Sequence, residues 1–226
     1  MVNDFVSLLF PRCCLISGAP LARGEQHVSM SAIRKLPRFD LCQTSDALMQ
    51  RMFTFAPVKH TLAFYKFNKQ SGVQRLLHQL KYKNCPEVGV LAGNWFGHAL
   101  IDAGYTDQFD KIIPIPLHRA RQRQRGYNQS DCIARGLSEA LCIPWSRDTI
   151  HRIKQTATQT RKGRWERSRD TADIFSLLSP NTLVGQRILL VDDVLTTGAT
   201  LGAGVRVLLE GGCSEVSVAA LAAPEY

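Results

Sequence analysis

Residues 188–200, reading ILLVDDVLTTGAT, constrain this chain more than any other stretch. Ile188, Leu189, Leu190 and Val191 form an unbroken apolar run, the mark of a strand covered on both faces. Two adjacent carboxylates, Asp192 and Asp193, follow, so the strand carries them to the edge of its sheet. Thr196, Thr197, Gly198, Ala199 and Thr200 then lead straight into an apolar-periodic helix over residues 200–209, ended by Gly211 and Gly212. Backbone N–H groups at a helix N-terminus point outward and attract anions. Gly198 permits a close approach to the backbone, and the hydroxyls of Thr196, Thr197 and Thr200 can donate to phosphate oxygens. Carboxylates cannot bind phosphate, but they accept hydrogen bonds from vicinal sugar hydroxyls. A phosphate cradle beside a diol clamp describes a ribose 5-phosphate.

Other acidic or phosphate-binding motifs fit less well. A receiver-type acidic pair needs a further Asp and Lys well downstream, and only twenty-six residues follow Thr200. A P-loop needs G-K-[ST], which the chain lacks. A helix capped after an ordinary buried strand would need neither the carboxylates nor the hydroxyls.

The remaining pattern predicts an α/β fold: a Rossmann-like parallel sheet flanked by helices. Strands are expected over residues 61–67, 111–115, 149–153, 172–177, 187–191 and 216–221. Helices are expected over residues 44–53, 73–83, 88–101 (with Pro86 at the start and Gly104 past the end) and 128–142. Residues 1–57 read as a small N-terminal extension, and residues 58–226 as the main domain. In such sheets ligands sit beyond the C-terminal ends of the strands, which singles out the segments after Ile115 and Val191.

Charge is concentrated. The chain has 28 Lys+Arg against 19 Asp+Glu, a net charge of +9. Residues 118–169 hold thirteen of those bases and four acids, so they contain the whole excess. That stretch is either a solvated basic face or an anion site for phosphate, pyrophosphate or nucleic acid. No run approaches the ~18 apolar residues of a membrane span. The first twenty residues lack a basic n-region and carry Asp4 and Pro11, so they read as mature, cytoplasmic protein. Seven scattered cysteines form no C-x-x-C pair. Cys13, Cys14 and Cys42, with His27 as the obvious fourth group, fall short of a convincing zinc set.

Residues 188–200 resemble the phosphoribosyl-pyrophosphate (PRPP) loop of type I phosphoribosyltransferases. Residues 112–130, IIPIPLHRARQRQRGYNQS, resemble the P-x-P…R-G-[FY]-N-Q signature of the ComF/GntX family, phosphoribosyltransferase-like proteins associated with competence and DNA uptake. Leu80-Lys81-Tyr82-Lys83 and the Arg152…Gln159…Arg164…Arg169 stretch fit the same layout. The likeness covers roughly residues 60–223. Family members often carry an N-terminal four-cysteine zinc ribbon. Here Cys14 stands at the first ligand position, while Ser17, Ser29 and Ala32 stand at the others, so the extension is expected to hold no structural zinc.

The resemblance implies a type I phosphoribosyltransferase fold and displacement of pyrophosphate from PRPP by a nucleophile. Asp192 and Asp193 would be the catalytic pair on the ribose hydroxyls, and Thr196, Thr197, Gly198, Ala199 and Thr200 would bind the 5-phosphate. Ile115, Pro116, Leu117, His118 and Arg119 would form the pyrophosphate loop, with Arg123, Arg125, Arg161 and Arg164 closing over the leaving group. Mg²⁺ would arrive with the substrate and need no direct protein ligand. Nothing in residues 1–60 identifies an acceptor. A second class of function stays open: handling of single-stranded DNA, alone or with competence proteins or as an oligomer, the pocket serving for sensing or structure. Basic residues interleaved with Tyr127, Trp145 and Trp165 suit that role.

Overall fold

Side chains alternating along the strands divide the core into two layers. The computed structural model describes residues 11–42, 46–69, 71–153, 174–179 and 182–225. Within them lie α1 (Met30–Arg34), α2 (Asp46–Phe53), β1 (Thr61–Phe67), α3 (Gly72–Tyr82), α4 (Pro86–Asp102) and β2 (Lys111–Pro114). Then come α5 (Arg119–Arg125), α6 (Gln129–Leu141), β3 (Ile150–Arg152), β4 (Phe175–Leu177), β5 (Arg187–Val194), α7 (Ala199–Glu210) and β6 (Glu215–Pro224). The main sheet is parallel, in the order β1-β6-β5-β2.

Leu189 and Val191 of β5, with Ile112 of β2 and Leu221 of β6, pack into one hydrophobic cluster with α3, α4 and α6. Their neighbours Ile188, Leu190, Ile113 and Ala220 face the other way, into a second cluster with α2 and α7. This is the period-two pattern of a sheet covered on both faces. Cys14, Ile16, Val28, Ile33 and Leu36 from the N-terminal residues join the first cluster beside Leu62, Phe64 and Leu76. The same region guards the edge of β1: Phe39 N–H donates to Phe64 O at 3.0 Å, and Lys66 N–H donates to Pro37 O at 2.9 Å.

The helices α4 and α6 touch backbone to backbone. A Cβ on Gly136 would lie 2.0 Å from the Val90 carbonyl oxygen, and one on Gly93 would lie 2.2 Å from that of Ile133. Any larger residue at either place would force the pair apart, so α6 has one seat on the sheet. Among the described residues, no helix is long and apolar enough to cross a membrane.

Three sequence expectations need correction. Of the strands expected at 149–153 and 172–177, the described residues hold β3 and β4, which pair antiparallel with each other in a separate ribbon instead of joining the parallel sheet, while residues 172 and 173 lie outside the described residues. Across that ribbon His151 Nε2 and Ser176 Oγ lie 2.9 Å apart. The strand expected to stop at Val191 continues to Val194, because Asp192 and Val194 still pair with Ala220 and Ala222 of β6. The turn expected through Arg119 ends one residue sooner. Arg119 opens α5, a helix with no buried residue and hence no apolar periodicity to betray it.

Candidate functional site at the C-terminal edge of the sheet

The last residues of β5 bring the two carboxylates to the edge of the sheet while still hydrogen-bonded to β6. Asp192 Oδ1 accepts from two donors, the Asp193 N–H at 2.9 Å and the Ser130 hydroxyl of α6 at 3.0 Å. Asp193 Oδ2 lies 3.0 Å from Lys81 Nζ of α3. Burial pushes the Asp192 carboxyl well above the usual carboxylate range, and the like charge of Asp193 adds to the rise. Its two hydrogen bonds and Lys81 pull the other way.

Beyond β5, Thr196 and Thr197 are exposed, Gly198 is buried, and Ala199 and Thr200 are half-buried in the first turn of α7. Gly198 sits at φ +92°, a left-handed conformation that suits glycine. A Cβ there would meet Met52 Sδ at 3.1 Å and the Arg51 carbonyl oxygen at 3.2 Å. The close approach expected of Gly198 is therefore made on its inner side, by α2. No side chain caps α7, and no acidic residue lies in its first turn. Thr197 Oγ1 accepts a long bond, 3.4 Å, from the Ala199 N–H.

The segment after β2 lies alongside. Ile115 N–H donates to Val191 O at 2.8 Å, which ties the start of this loop to β5. Asn128 Nδ2 donates to Ile115 O at 3.0 Å. Pro116 and Leu117 are half-buried, and His118 is exposed. His118 Nδ1 accepts from the Ala120 N–H at 3.2 Å, so its imidazole caps α5. Arg119 and Arg123 stand exposed on α5. Arg125 instead donates to Gln129 Oε1 at 2.9 Å and lies 5.3 Å above the centroid of the Tyr82 ring. Arg161 and Arg164 lie outside the described residues, as does Trp165.

The structure thus gathers Asp192, Asp193, residues 196–200 and residues 115–119 along one edge. It adds residues that had no assigned role in the sequence: Lys81, Asn128, Ser130, Arg121 and Arg152. Burial and the neighbouring charge of Arg121 lower Arg152, while Asp192 draws it up, so Arg152 is within electrostatic reach of Asp192 and Arg121 within reach of Arg152. Only the motifs around Lys81 and Ser130 could have signalled them. Ser130 is 62 residues from Asp192 in the chain, and nothing local encodes the pairing.

Away from this edge, the N-terminal residues offer a poor place for zinc. Cys14 Sγ accepts from the Ser29 N–H at 3.2 Å, and Ser29 Oγ accepts from the Ala32 N–H at 3.2 Å. Burial raises the Cys14 thiol, but hydrogen bonds with Ser17 and Ser29 outweigh it and bring it down to about 7. One thiol, two hydroxyls and a methyl do not fit structural zinc. Among the described residues, no three of His, Cys, Asp or Glu converge on a metal position.

Comparison with known proteins agrees with this fold. The family model described as "Phosphoribosyl transferase domain" matches residues 134–225, which run from α6 through β6. Competence protein F of Haemophilus influenzae is 35% identical over 170 residues, covering 74% of this chain and 68% of that protein. DNA utilization protein YhgH of Escherichia coli (strain K12) is 32% identical over 146 residues, 63% of each chain. Competence protein ComFC of Bacillus subtilis is 37% identical over 108 residues, 48% of this chain and 42% of that one. With the acidic pair, the Thr-Gly helix start and the Ile115 loop on one edge of a parallel sheet, the chain belongs to the ComF family of phosphoribosyltransferase-like proteins.

Proposed function

We propose that this edge binds PRPP and that the protein transfers its phosphoribosyl group to a nucleophile, with release of pyrophosphate. One observation carries the reading. An acidic pair and an uncapped, Thr-rich helix N-terminus lie within a few residues of each other at the edge of the sheet. The helix start suits the 5-phosphate, through outward N–H groups and the hydroxyls of Thr196, Thr197 and Thr200. Asp192 and Asp193 suit the 2- and 3-hydroxyls. Residues 115–119, tied to β5 through Val191, suit the pyrophosphate.

In the transfer, the bond from the anomeric carbon to the pyrophosphate oxygen breaks and the bond to the nucleophile forms. The electron pair leaves with pyrophosphate, and the nucleophile gives up its proton to solvent or to the departing pyrophosphate. Positive charge grows on the ribose ring at the transition state, where ionised carboxylates nearby lower its energy. The exposed arginines of α5 and Arg152 suit the leaving group's charge. Mg²⁺ arriving with the substrate would supply further charge neutralisation.

The test is calorimetric titration with PRPP, with and without Mg²⁺, using ribose 5-phosphate as comparator. Mg²⁺-dependent binding that favours PRPP and is lost in Asp193→Ala is the expected result. No heat and no thermal stabilisation would remove the reading.

A specific observation favours a second reading, the handling of single-stranded DNA. The helix α5 presents Arg119, Arg121, Arg123 and Arg125 in seven residues, none of them buried, and the names of the relatives speak of competence and DNA utilization. Binding to single-stranded DNA that weakens steeply with salt and survives Asp193→Ala would support it. A cytoplasmic site of action and association with competence proteins belong to this proposal.

A further inference from the structure

We infer that Asn128, Gln129 and Ser130 act together as a positioning unit, one turn of chain that fixes the pyrophosphate loop, Arg125 and Asp192 relative to one another. The inference rests on the ligand reading above and adds residues to it.

Three consecutive polar side chains are buried here, with 5%, 1% and 3% of their surfaces exposed. Burying polar groups costs free energy unless each finds a partner. Helix capping accounts for one of them, because Asn128 Oδ1 accepts from the Ser130 N–H at 3.2 Å. Asn128 Nδ2 also donates to Asp131 Oδ1 within the helix at 2.7 Å, and the remaining contacts lead away from it. Asn128 Nδ2 donates to Ile115 O, Gln129 Oε1 accepts from Arg125, and the Ser130 hydroxyl donates to Asp192. Successive residues of a helix point about 100° apart. A single turn therefore reaches three elements, namely the loop after β2, α5 and β5.

The turn itself cannot drift. The backbone-to-backbone seat of Gly136 against Val90 fixes α6 on α4, and the Tyr127 hydroxyl donates to Leu80 O on α3. Gln129 Nε2 is buried without a partner among the described residues. The polar atom of this side chain that finds a partner is Oε1, on the Arg125 guanidinium.

Ser130 has the sharpest consequence. Asp192 can accept from a ribose hydroxyl most strongly when ionised, and burial beside Asp193 opposes ionisation. The groups that face it are Asp193 on its own strand, Lys81 from α3, Ser130 from α6, and Arg152 from β3 with Arg121 of α5 behind it. The Ser130 hydroxyl favours the charged carboxylate and leaves Oδ1 engaged, so Oδ2 is the oxygen offered to a ligand.

The experiment compares wild type, Ser130→Ala, Ser130→Thr and Ser138→Ala. Ser138 lies on the same helix with its hydroxyl on the Ile143 carbonyl, so it controls for lost helix stability. Aspartate carboxyl titration by carbon NMR is recorded on the ligand-free protein, and PRPP binding is measured from about pH 5.5 to 9. In Ser130→Ala the Asp192 carboxyl should titrate at higher pH. PRPP affinity should fall about tenfold at neutral pH, where the carboxyl is then mostly protonated, and recover near the alkaline end. Ser130→Thr should restore both, and Ser138→Ala should change neither. An unshifted Asp192 titration in Ser130→Ala overturns the inference whether or not PRPP binds. A shifted titration in a protein that binds no PRPP upholds the positioning role and rejects the ligand.

Discussion

The helices α6 and α7 both begin at the C-terminal edge of the sheet, and they finish their N-termini in opposite ways. Asn128 caps α6 with its own side chain, Asp131 stands in the first turn, and the buried polar residues Gln129 and Ser130 open the helix. At α7 a left-handed glycine stands in the cap position, with no side-chain cap and no acid in the first turn. Each helix starts with unpaired N–H groups and the positive end of its dipole. The fold satisfies that demand internally at α6. At α7 the Ala199 N–H reaches the exposed Thr197 hydroxyl at a long 3.4 Å, and on the proposed reading the remaining N–H groups meet an external anion. On the proposed ligand reading, the start of α6 is structural and that of α7 is ligand-binding, a difference told by what fills each.

If α6 is the fixed member, substitutions along it should cost stability first. The largest effect is expected at Gly136→Ala, whose Cβ would lie 2.0 Å from the Val90 oxygen and 2.6 Å from the Asn94 nitrogen. Neither backbone atom can yield without lifting α6 off α4. Overpacking of this kind should remove about 3 kcal/mol, read by denaturant unfolding. A loss below about 0.5 kcal/mol would mean that the helices are not seated as tightly as the contact implies. Next comes Asn128→Ala, which loses a cap and strips donors from Ile115 O and from Asp131. A cost of about 2 kcal/mol is expected. PRPP should also bind more weakly in that variant, because the Ile115 loop is no longer held.

The contrast also explains what the sequence could reveal. The strand–acid–Thr–helix order of β5 and α7 is legible because each signal is local: an apolar run, two carboxylates, a glycine, then helical periodicity. The helices α3, α4 and α6 are legible from their apolar spacing, and their observed ends fall within two residues of the expected ones. The helix α5 is not legible, since RARQRQR has no apolar face to set a period. The pairing of Lys81 with Asp193, and of Ser130 with Asp192, depends on how α3 and α6 cross the sheet. Such contacts are made by tertiary packing, and neither propensity nor spacing encodes them. The antiparallel pairing of β3 with β4 escaped for the same reason. Two three-residue strands look alike in sequence whichever sheet they enter.

At the open helix the balance should reverse, with binding hurt more than stability. Thr197→Ala gives up one long hydrogen bond to Ala199 and no cap. Stability should stay within about 0.5 kcal/mol of wild type. Ribose 5-phosphate affinity should drop about tenfold, which corresponds to ~1.4 kcal/mol for a lost phosphate contact. Thermal unfolding and calorimetry on the same sample separate the two quantities. A variant that loses stability but keeps its affinity would put α7 in the same class as α6.

A pH dependence that belongs to α6 alone is expected as well. Asp131 stands where a helix dipole favours negative charge, a contribution of about 0.3–1 kcal/mol at exposed sites. Burial outweighs it. The carboxyl is pushed up to about 6, with Asp148 adding to the rise and the Asn128 hydrogen bond and Arg147 pulling down. In the unfolded chain the same group titrates near about 4. The folded state therefore holds this proton more tightly than the unfolded state does. Its contribution to stability is complete below pH ~4 and is lost as pH rises through about 6. Asp131→Asn keeps an oxygen for the Asn128 amide and removes the titration. Relative to wild type, the variant should gain stability between about pH 4 and 7, with little advantage at the acid end and its full advantage at neutral pH. Parallel stability profiles would place the Asp131 carboxylate in water. That result would make the first turn of α6 less closed than its buried neighbours indicate, and it would narrow the difference between the two helix starts.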